Sequence, residues 1–199
     1  MIESLLALDT KLLIQARTLL WPEYASIIQF LGEAIVIYGA LILLYLWFTG
    51  LYKKDNAWKI WSLQIFFTII LTFLFYSAIN FGIEKWRPSP QDVVWGIAPL
   101  IPHPLDNSFP SGHALFTAAL IIGLIRFCPK PLLIFAAILF GGATAAARVI
   151  WGVHYPWDIL GGWILGGIGA FIITLLIDNS VFRKYLFAPI ITLAGFFHL

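Results

Sequence analysis

Three short stretches of this sequence carry the side chains that catalysis most often uses. The first, residues 108–113, reads Ser-Phe-Pro-Ser-Gly-His and leads from a polar stretch into an apolar one. Pro110 and Ser111 are residue types that begin helices, and the first N–H groups of a helix have no partner inside it. Gly112 lets a ligand approach the backbone closely. The stretch therefore predicts an anion site at a helix N-terminus.

The other two stretches supply charge. Residues 148–158 read Arg-Val-Ile-Trp-Gly-Val-His-Tyr-Pro-Trp-Asp, and residues 85–88 read Lys-Trp-Arg-Pro. Arg87 and Arg148 can each donate two parallel N–H bonds to phosphate oxygens, which an amine cannot do as a planar pair. Together with the Ser111 hydroxyl and the first N–H groups of the helix, they would form a phosphate cradle.

Two imidazoles accompany these cations. One of His113 and His154 can attack phosphorus while the other protonates the oxygen that leaves. Asp158 follows His154 by four residues, so its carboxylate can accept the ring proton and support a developing imidazolium, as the acid does in a Ser-His-Asp triad. Taken alone, this pair fits an interfacial histidine beside a helix-capping carboxylate better. The presence of Arg148 and of the Pro-Ser-Gly-His run favours catalysis.

The composition is that of an integral membrane protein. Hydrophobic residues make up 61% of the 199 residues and charged residues 11%, with a mean hydropathy of +0.91, whereas about a quarter of a soluble domain is charged. A net charge of +2 gives no argument for nucleic acid as a partner. Cys128 is the one cysteine, which excludes an internal disulfide and a cysteine-based metal cage. We therefore expect one membrane-embedded domain, residues 1–199.

The hydropathy pattern predicts an all-α fold, a polytopic membrane helix bundle. Residues 1–20 place leucines on one helical stripe among frequent charges, which is typical of a helix lying in the membrane interface. A helical core then extends over residues 27–178, and an apolar tail, residues 182–199, forms an interfacial helix or a partial sixth span. The five predicted spans of the core are residues 27–50, 60–83, 112–128, 132–150 and 156–177.

The distribution of Lys and Arg predicts the orientation of the bundle. Seven of them fall on the face that contains the first loop, the turn after the third span and the end of the fifth, against five on the opposite face. The first face is therefore expected to be cytoplasmic. Alternation of the spans brings all three stretches to the other face. We expect a multi-pass protein of the inner (plasma) membrane whose site faces the extracytoplasmic side.

Glu33, His103 and Asp106 are additional polar candidates. Glu33 is the only charge within the first predicted span, and such a residue more often makes an interhelical hydrogen bond than contacts substrate. His103 and Asp106 lie in the long polar stretch 84–111 and are interpreted as loop structure. A metal site made of His103, Asp106 and His113 matches no known ligand spacing. We therefore expect no metal and no cofactor, and no obligate protein partner is indicated.

The three motifs resemble those of the type 2 phosphatidic acid phosphatase superfamily. The signature of that family contains Arg-Pro, then Pro-Ser-Gly-His, then an arginine with a histidine after five intervening residues and an aspartate four beyond. The resemblance covers roughly residues 60–178, and the three spacings together make it specific. The residues that carry it are Arg87 with Pro88, the run Pro110-Ser111-Gly112-His113, and Arg148 with His154 and Asp158.

The resemblance implies a membrane phosphatase that works without a metal ion. His154 would form a phosphohistidine, Asp158 would orient its ring, and His113 would protonate the leaving group and then activate water. The residues implied to hold the phosphoryl group are Arg87, Ser111, Gly112 and Arg148.

Two positions depart from the family signature. The signature also has a lysine with six residues between it and Arg-Pro, and a serine directly before the arginine of its third motif. In this sequence these positions are Asn80 and Ala147. Asn80 can donate a hydrogen bond but adds no charge, so one phosphate contact is weakened or comes from elsewhere. Lys85 is the nearest substitute, although it lies on a different helical face.

Residues 100–111 resemble, more narrowly, the bacterial undecaprenyl pyrophosphate phosphatases, which carry a similar Ile-Pro-His and Asp before Ser-Phe-Pro-Ser. The expected reaction is hydrolysis of undecaprenyl pyrophosphate to undecaprenyl phosphate, a step of cell wall biogenesis, with a lipid phosphate and the bilayer as partners. Phosphatidylglycerophosphate, phosphatidic acid and lipid A phosphates are alternative substrates within the superfamily. A non-catalytic phospholipid-binding or carrier protein is the alternative from another class.

Overall fold

The structure is a computed structural model that describes residues 2–18, 22–80, 85–88 and 107–196. Within these ranges the chain is helical throughout its regular elements, and the one β-type contact is an isolated antiparallel bridge between Trp86 and Asn107. The helices are α1 (Ile2–Arg17), α2 (Ala25–Lys53), α3 (Asn56–Asn80), α4 (Gly112–Phe127), α5 (Pro131–Ile150), α6 (Pro156–Ile177), α7 (Ser180–Phe182) and α8 (Ala188–Phe196); a 3₁₀ turn, Pro22–Tyr24, precedes α2 and a π-helical turn, Arg183–Phe187, precedes α8.

The predicted membrane helix bundle is confirmed. Helices α2, α3, α5 and α6 are each long and apolar enough to cross a bilayer, and α4 is a shorter apolar helix of 16 residues. The outer faces of the long helices expose large apolar side chains, including Leu41, Phe48, Leu74 and Ile168. Apolar surface on this scale is a liability in water, whereas it is the expected surface of a protein solvated by lipid tails.

Helix α4 lies at the centre of the bundle. Its buried residues contact α3, α5 and α6 on different sides. Two glycines of α6 make this close packing possible, because a Cβ at Gly162 would lie 2.6 Å from the Ser111 carbonyl oxygen and one at Gly166 would lie 2.8 Å from the Leu115 Cα. Small residues that bring backbones together are a common device of membrane helices. Here they bring the start of α6 against the start of α4.

The N-terminal helix α1 packs on α5 and α6. Leu13 is fully buried, whereas Leu6, Leu8 and Leu12 are exposed. At the other terminus, Phe187 is buried and lies 5.8 Å from Phe67, measured between ring centroids. The nine residues of α8 are about 14 Å long at 1.5 Å per residue, about half of the hydrocarbon thickness.

The two ends of the bundle differ in chemistry. At one end the ammonium groups of Lys53 and Lys130 lie 4.4 and 5.4 Å from the Trp58 ring centroid, and Arg126 forms an ion pair with Asp178. This arrangement brings the first loop and the turn after α4 together, as the sequence predicts. The three motif stretches meet at the opposite end.

Candidate active site

The start of α4 presents an unused serine hydroxyl. Ser111 precedes the first residue of the helix in an extended conformation, and its N–H donates to the Asp158 carbonyl oxygen at 2.9 Å. A serine in this position usually accepts a hydrogen bond from the first turn. The Ser111 Oγ makes no such bond, although the residue is 0% exposed.

A tight turn after α5 positions the second histidine. Gly152 has a φ of 79°, a value that side chains other than glycine rarely adopt, and the Val153 N–H returns to the Arg148 carbonyl at 3.2 Å. Helix α6 then begins at Pro156, with the Tyr155 N–H donating to the Asp158 Oδ2 at 2.8 Å. The turn thereby holds His154 between the end of α5 and the start of α6.

The hydrogen bonds of His154 fix its tautomer. An Nη1 of Arg87 lies 3.0 Å from Nε2, and the Ser108 carbonyl oxygen lies 3.1 Å from Nδ1. Because a guanidinium can only donate and a carbonyl can only accept, Nε2 carries the lone pair and Nδ1 the proton. Burial lowers the pKa of His154 to about 4, and the charges of Arg87 and Arg148 act in the same direction while Asp158 opposes them. The imidazole is therefore neutral and carries its lone pair on Nε2.

The Asp158 carboxylate is completely buried and supports His154 indirectly. Its Oδ1 accepts from the Lys85 Nζ at 2.7 Å, and its Oδ2 accepts from the hydroxyl of Ser108 and from the Tyr155 N–H. The Oδ2 lies 3.7 Å from the His154 Nδ1, longer than a hydrogen bond. Ser108 joins the two, because its hydroxyl binds the carboxylate and its carbonyl binds the ring.

The first histidine has a partner that the sequence did not assign to the site. The His113 Nε2 lies 3.0 Å from the Glu33 Oε2, and the Glu33 Oε1 accepts from an Nη1 of Arg148 at 3.0 Å. The predicted interhelical hydrogen bond of Glu33 is confirmed, and both of its partners belong to the candidate site. Thr144 anchors this part of α2 to α5, because its hydroxyl donates to the Leu31 carbonyl and accepts from the Ile35 N–H.

A cavity of about 220 Å³ joins the three motifs. Its polar end is formed by Arg87, Gly112, His113, Arg148 and His154, and its apolar wall by side chains of α2, α3 and α4. The residues of the apolar wall are Val36, Phe73, Tyr76 and Phe116.

Two buried polar atoms of the motif residues lack a protein partner. Among the described residues, the buried side-chain nitrogen and oxygen atoms without a hydrogen bond are the Gln64 Nε2, the Ser111 Oγ and the Arg148 Nε. A buried polar atom without a partner costs about 1–3 kcal/mol, and each instance needs an explanation. Ser111 and Arg148 come from different motifs, so a shared anion would account for both.

Lys85 forms ion pairs with two carboxylates. Its Nζ lies 2.8 Å from the Asp9 Oδ2 and 2.7 Å from the Asp158 Oδ1, and it stacks 4.6 Å above the Tyr155 ring. The residue does not line the cavity. Two carboxylates hold its charge, and the expected role of Lys85 as a phosphate contact stays a prediction that these contacts do not favour.

Other sequence candidates are not described at side-chain level. Asn80 is the last residue of α3, and its side chain falls outside the described part of the chain. His103 and Asp106 lie in the range 89–106, which is also outside it.

Ser108 and Glu33 contact the candidate site, although the sequence did not predict them as site residues. The signal for Ser108 was its place directly before the Phe-Pro-Ser-Gly-His run, and the signal for Glu33 was a carboxylate in an apolar span.

Comparisons with known proteins agree with the motifs. Residues 61–182 match the family model described as the PAP2 superfamily. The chain is 38% identical to an undecaprenyl-diphosphatase of Sulfolobus acidocaldarius, over 69% of this chain and 71% of that protein. It is 29% identical to the undecaprenyl-diphosphatase BcrC of Bacillus subtilis, over 74% of this chain and 72% of the relative.

Two further similarities cover almost the whole chain. A lipid A 4'-phosphatase of Bacteroides thetaiotaomicron is 26% identical over 96% of this chain and 86% of its own length. The crystal structure of a transmembrane PAP2-type phosphatidylglycerolphosphate phosphatase from Bacillus subtilis superimposes with a TM-score of 0.64 at 23% identity, covering 91% of this chain and 89% of that one. The second similarity concerns the fold.

Proposed function

The chain belongs to the PAP2 superfamily and is a membrane lipid phosphatase, and we propose that it hydrolyses a lipid pyrophosphate, undecaprenyl pyrophosphate, to the lipid monophosphate through a phosphohistidine on His154. The observation that carries this proposal is that two buried atoms of the motif residues, the Ser111 Oγ and the Arg148 Nε, have no protein partner, while Arg148 and His154 both line the cavity. A terminal phosphoryl group has three oxygens that can accept from the serine, the arginines and the first N–H groups of α4.

The first chemical step uses the neutral His154. Its Nε2 attacks the terminal phosphorus, a P–N bond forms, and the bond between this phosphorus and the bridging oxygen breaks. His113 gives a proton to the oxygen that leaves with the lipid monophosphate. Arg87, which now donates to Nε2 at 3.0 Å, moves its N–H groups onto the phosphoryl oxygens as the substrate enters. Negative charge on the Asp158 carboxylate stabilises the positive ring that results.

The second step returns the enzyme to its starting state. Water attacks the phosphohistidine while His113 takes a proton from it, the P–N bond breaks, and orthophosphate leaves. The cations that neutralise the phosphate oxygens in both steps are the guanidinium groups of Arg87 and Arg148. We therefore propose that the reaction needs no metal ion.

The apolar wall of the cavity supports a lipid substrate. Val36, Phe73, Tyr76 and Phe116 come from α2, α3 and α4 and adjoin the phosphate cradle directly. An isoprenoid chain can lie against these residues while the pyrophosphate occupies the polar end. The names of the relatives from Sulfolobus acidocaldarius and Bacillus subtilis favour undecaprenyl pyrophosphate. The Lys and Arg residues gathered at the far end of the bundle favour a plasma-membrane enzyme with an extracytoplasmic site.

A lipid A phosphate is the second candidate substrate. The Bacteroides relative named for lipid A 4'-phosphatase activity matches 96% of this chain, more than either undecaprenyl-diphosphatase does. Both candidates present a terminal phosphoryl group on an apolar anchor, so the same cradle serves both. They differ in the leaving group, which is a phosphate in one and a sugar hydroxyl in the other.

Purified protein in detergent tests the proposal with a panel of lipid phosphates. We expect phosphate release from undecaprenyl pyrophosphate at the highest kcat/KM of the panel, unchanged by chelators, together with an acid-labile phosphoryl-enzyme in rapid-quench experiments. A higher kcat/KM for lipid A or phosphatidylglycerophosphate would overturn the proposal that undecaprenyl pyrophosphate is the substrate. Recovery of a chelated sample only on addition of magnesium or zinc would overturn metal independence.

A further inference from the structure

A carboxylate of the N-terminal helix reaches the candidate site. Asp9 is 1% exposed, although its neighbours Leu6, Leu8 and Leu12 on α1 are exposed. Its Oδ2 accepts from the Lys85 Nζ at 2.8 Å, and its Oδ1 accepts from the Trp157 N–H at 3.0 Å. The second contact satisfies one of the N–H groups that α6 leaves without a helical partner. Asp9 therefore lies one ion pair away from Asp158.

Lys85 is shared between two carboxylates. The distances from its Nζ to the Asp9 Oδ2 and to the Asp158 Oδ1 are 2.8 and 2.7 Å, so neither pair is favoured by geometry. The backbone of Lys85 is fixed as well, because its N–H donates to the Asn107 Oδ1 at 3.0 Å and its carbonyl accepts from the Ser108 N–H. Lys85 is therefore held in contact with both carboxylates.

This sharing controls how much negative charge His154 experiences. One ammonium between two carboxylates leaves the group with a net charge of −1, and part of it stays on the Asp158 oxygen that faces the ring at 3.7 Å. The other charged groups that act on His154 are Arg87, from residues 85–88, and Arg148 of α5. Both arginines disfavour a positive charge on the His154 ring. The net negative charge of the Asp9, Lys85 and Asp158 group acts in the opposite direction and stabilises that charge.

We propose that Asp9 is a positioning residue of the active site: it holds Lys85 midway between two carboxylates, so that Asp158 keeps the negative charge that supports His154 during phosphoryl transfer. The inference rests on the proposed function and extends it to α1, which lies before the residues matched by the family model. Without the Asp9 charge, Lys85 would pair with Asp158 alone. The phosphohistidine and the transition state that leads to it would then lose part of their stabilisation.

Asp9→Asn separates this electrostatic role from simple docking of α1. The amide oxygen still accepts from the Trp157 N–H, whereas the charge shared with Lys85 is lost. We expect kcat to fall about tenfold, the equivalent of one pKa unit of stabilisation, with KM unchanged because Asp9 does not touch the substrate. Asp9→Glu, which restores the charge, should recover most of the rate. Asp178→Asn is the matched control, because it removes an ion pair at the other end of the bundle, and it should leave kcat unchanged.

A double-mutant cycle with Lys85→Gln tests whether Asp9 acts through the lysine. In the Lys85→Gln background, Asp9→Asn should change kcat by less than about twofold, because no ammonium is left to redistribute. An equal tenfold loss in both backgrounds would overturn the proposal. The proposal would also be overturned if kcat fell together with the unfolding temperature and Asp9→Glu did not restore the rate. Asp9 would then have a purely structural role.

A titration of His154, which needs no substrate turnover, tests this inference independently of the proposed function. In protein labelled with ¹⁵N-histidine, the His154 ring should titrate at lower pH in Asp9→Asn and at higher pH in Lys85→Gln. Opposite shifts support the charge-sharing arrangement even if no lipid in the panel is hydrolysed, in which case the proposed function alone fails. Equal midpoints in the three proteins would overturn the inference even if the wild type is active. If Asp9→Asn does not fold, Lys85→Gln still tests the predicted upward shift.

Discussion

The two histidines of the candidate site have opposite environments. His154 and its carboxylate have side chains 2% and 0% exposed, and both are held by hydrogen bonds to neighbouring protein groups. His113 and its carboxylate, Glu33, have side chains 21% and 49% exposed. The His154 half is buried and held by hydrogen bonds, whereas the His113 half is more exposed.

This difference fits the different tasks proposed for the two rings. A nucleophile must hold one tautomer and one direction of attack, so a buried ring fixed at both nitrogens suits it. A group that first gives a proton and then takes one must contact a departing lipid and an arriving water in turn. The open environment of His113 allows both. The exposed carboxylate of Glu33 is bound to Arg148 and His113, the two residues proposed to act on the phosphoryl and leaving groups.

The largest expected effect comes from removing the proposed nucleophile, His154, and it tests the different tasks assigned to the two histidines. His154→Ala should lower kcat by about 10⁴, because no other group can form the covalent intermediate. It should also abolish the acid-labile phosphoryl-enzyme, measured by rapid quench with ³²P-labelled substrate. In His113→Ala, by contrast, labelled enzyme should still form and should accumulate with a good leaving group. Label retained in His154→Ala and absent in His113→Ala would reverse the assignment of the two rings.

Replacement of a cradle arginine should have the next largest effect. Arg148→Lys keeps the positive charge but removes the planar fork and the buried Nε, so we expect kcat/KM to fall about 10²-fold. Arg126→Lys is the matched control at the other end of the bundle, where the guanidinium pairs with Asp178. Steady-state kinetics give kcat/KM for both variants, and the two values are compared with that of the wild type. If the two substitutions had equal effects, Arg148 would have no special role in phosphate binding.

The sequence predicts local features of the site better than contacts between distant parts of the chain. Helix starts at Gly112 and Pro156 follow from Pro and Ser chemistry that acts within a few residues, and both are found where expected. The contacts of Glu33, Lys85 and Asp9 depend on how helices rotate and pack against one another. Nothing local in the sequence specifies that rotation.

Lys85 shows the limit most clearly. From the sequence it is a cation close to a phosphate motif, and a phosphate contact is the natural interpretation. Its actual partners are 76 and 73 residues away in the chain. They face Lys85 because the 85–88 segment pairs with Asn107 and Ser108, so its position is a tertiary property that no spacing within one motif encodes.

A smaller effect is expected from removal of the exposed carboxylate. Glu33→Gln eliminates the charge that binds Arg148 and His113 in the free enzyme, so orthophosphate and vanadate should inhibit more strongly, by about two- to fivefold, the usual range for an exposed ion pair. Glu23→Gln, which changes an exposed carboxylate just before α2, is the control. Weaker inhibition in Glu33→Gln would mean that the carboxylate helps to bind phosphate, and the two halves of the site would then be more alike than the contacts suggest.

The smallest expected effect is a pH dependence of stability that comes from the buried half alone. Burial lowers the pKa of His154 to about 4, whereas an unfolded histidine titrates near about 6.5. Between these values the unfolded chain binds a proton that folded His154 does not, so stability is complete above about pH 6.5 and falls as the pH drops towards about 4. The unfolding temperature in detergent should decline by several degrees over this window. In His154→Gln the decline should be smaller, because the amide does not titrate. An identical decline in both proteins would show that His154 is protonated as easily in the folded state as in the unfolded chain. The burial of His154 and Asp158 would then have no effect on the charge of the ring.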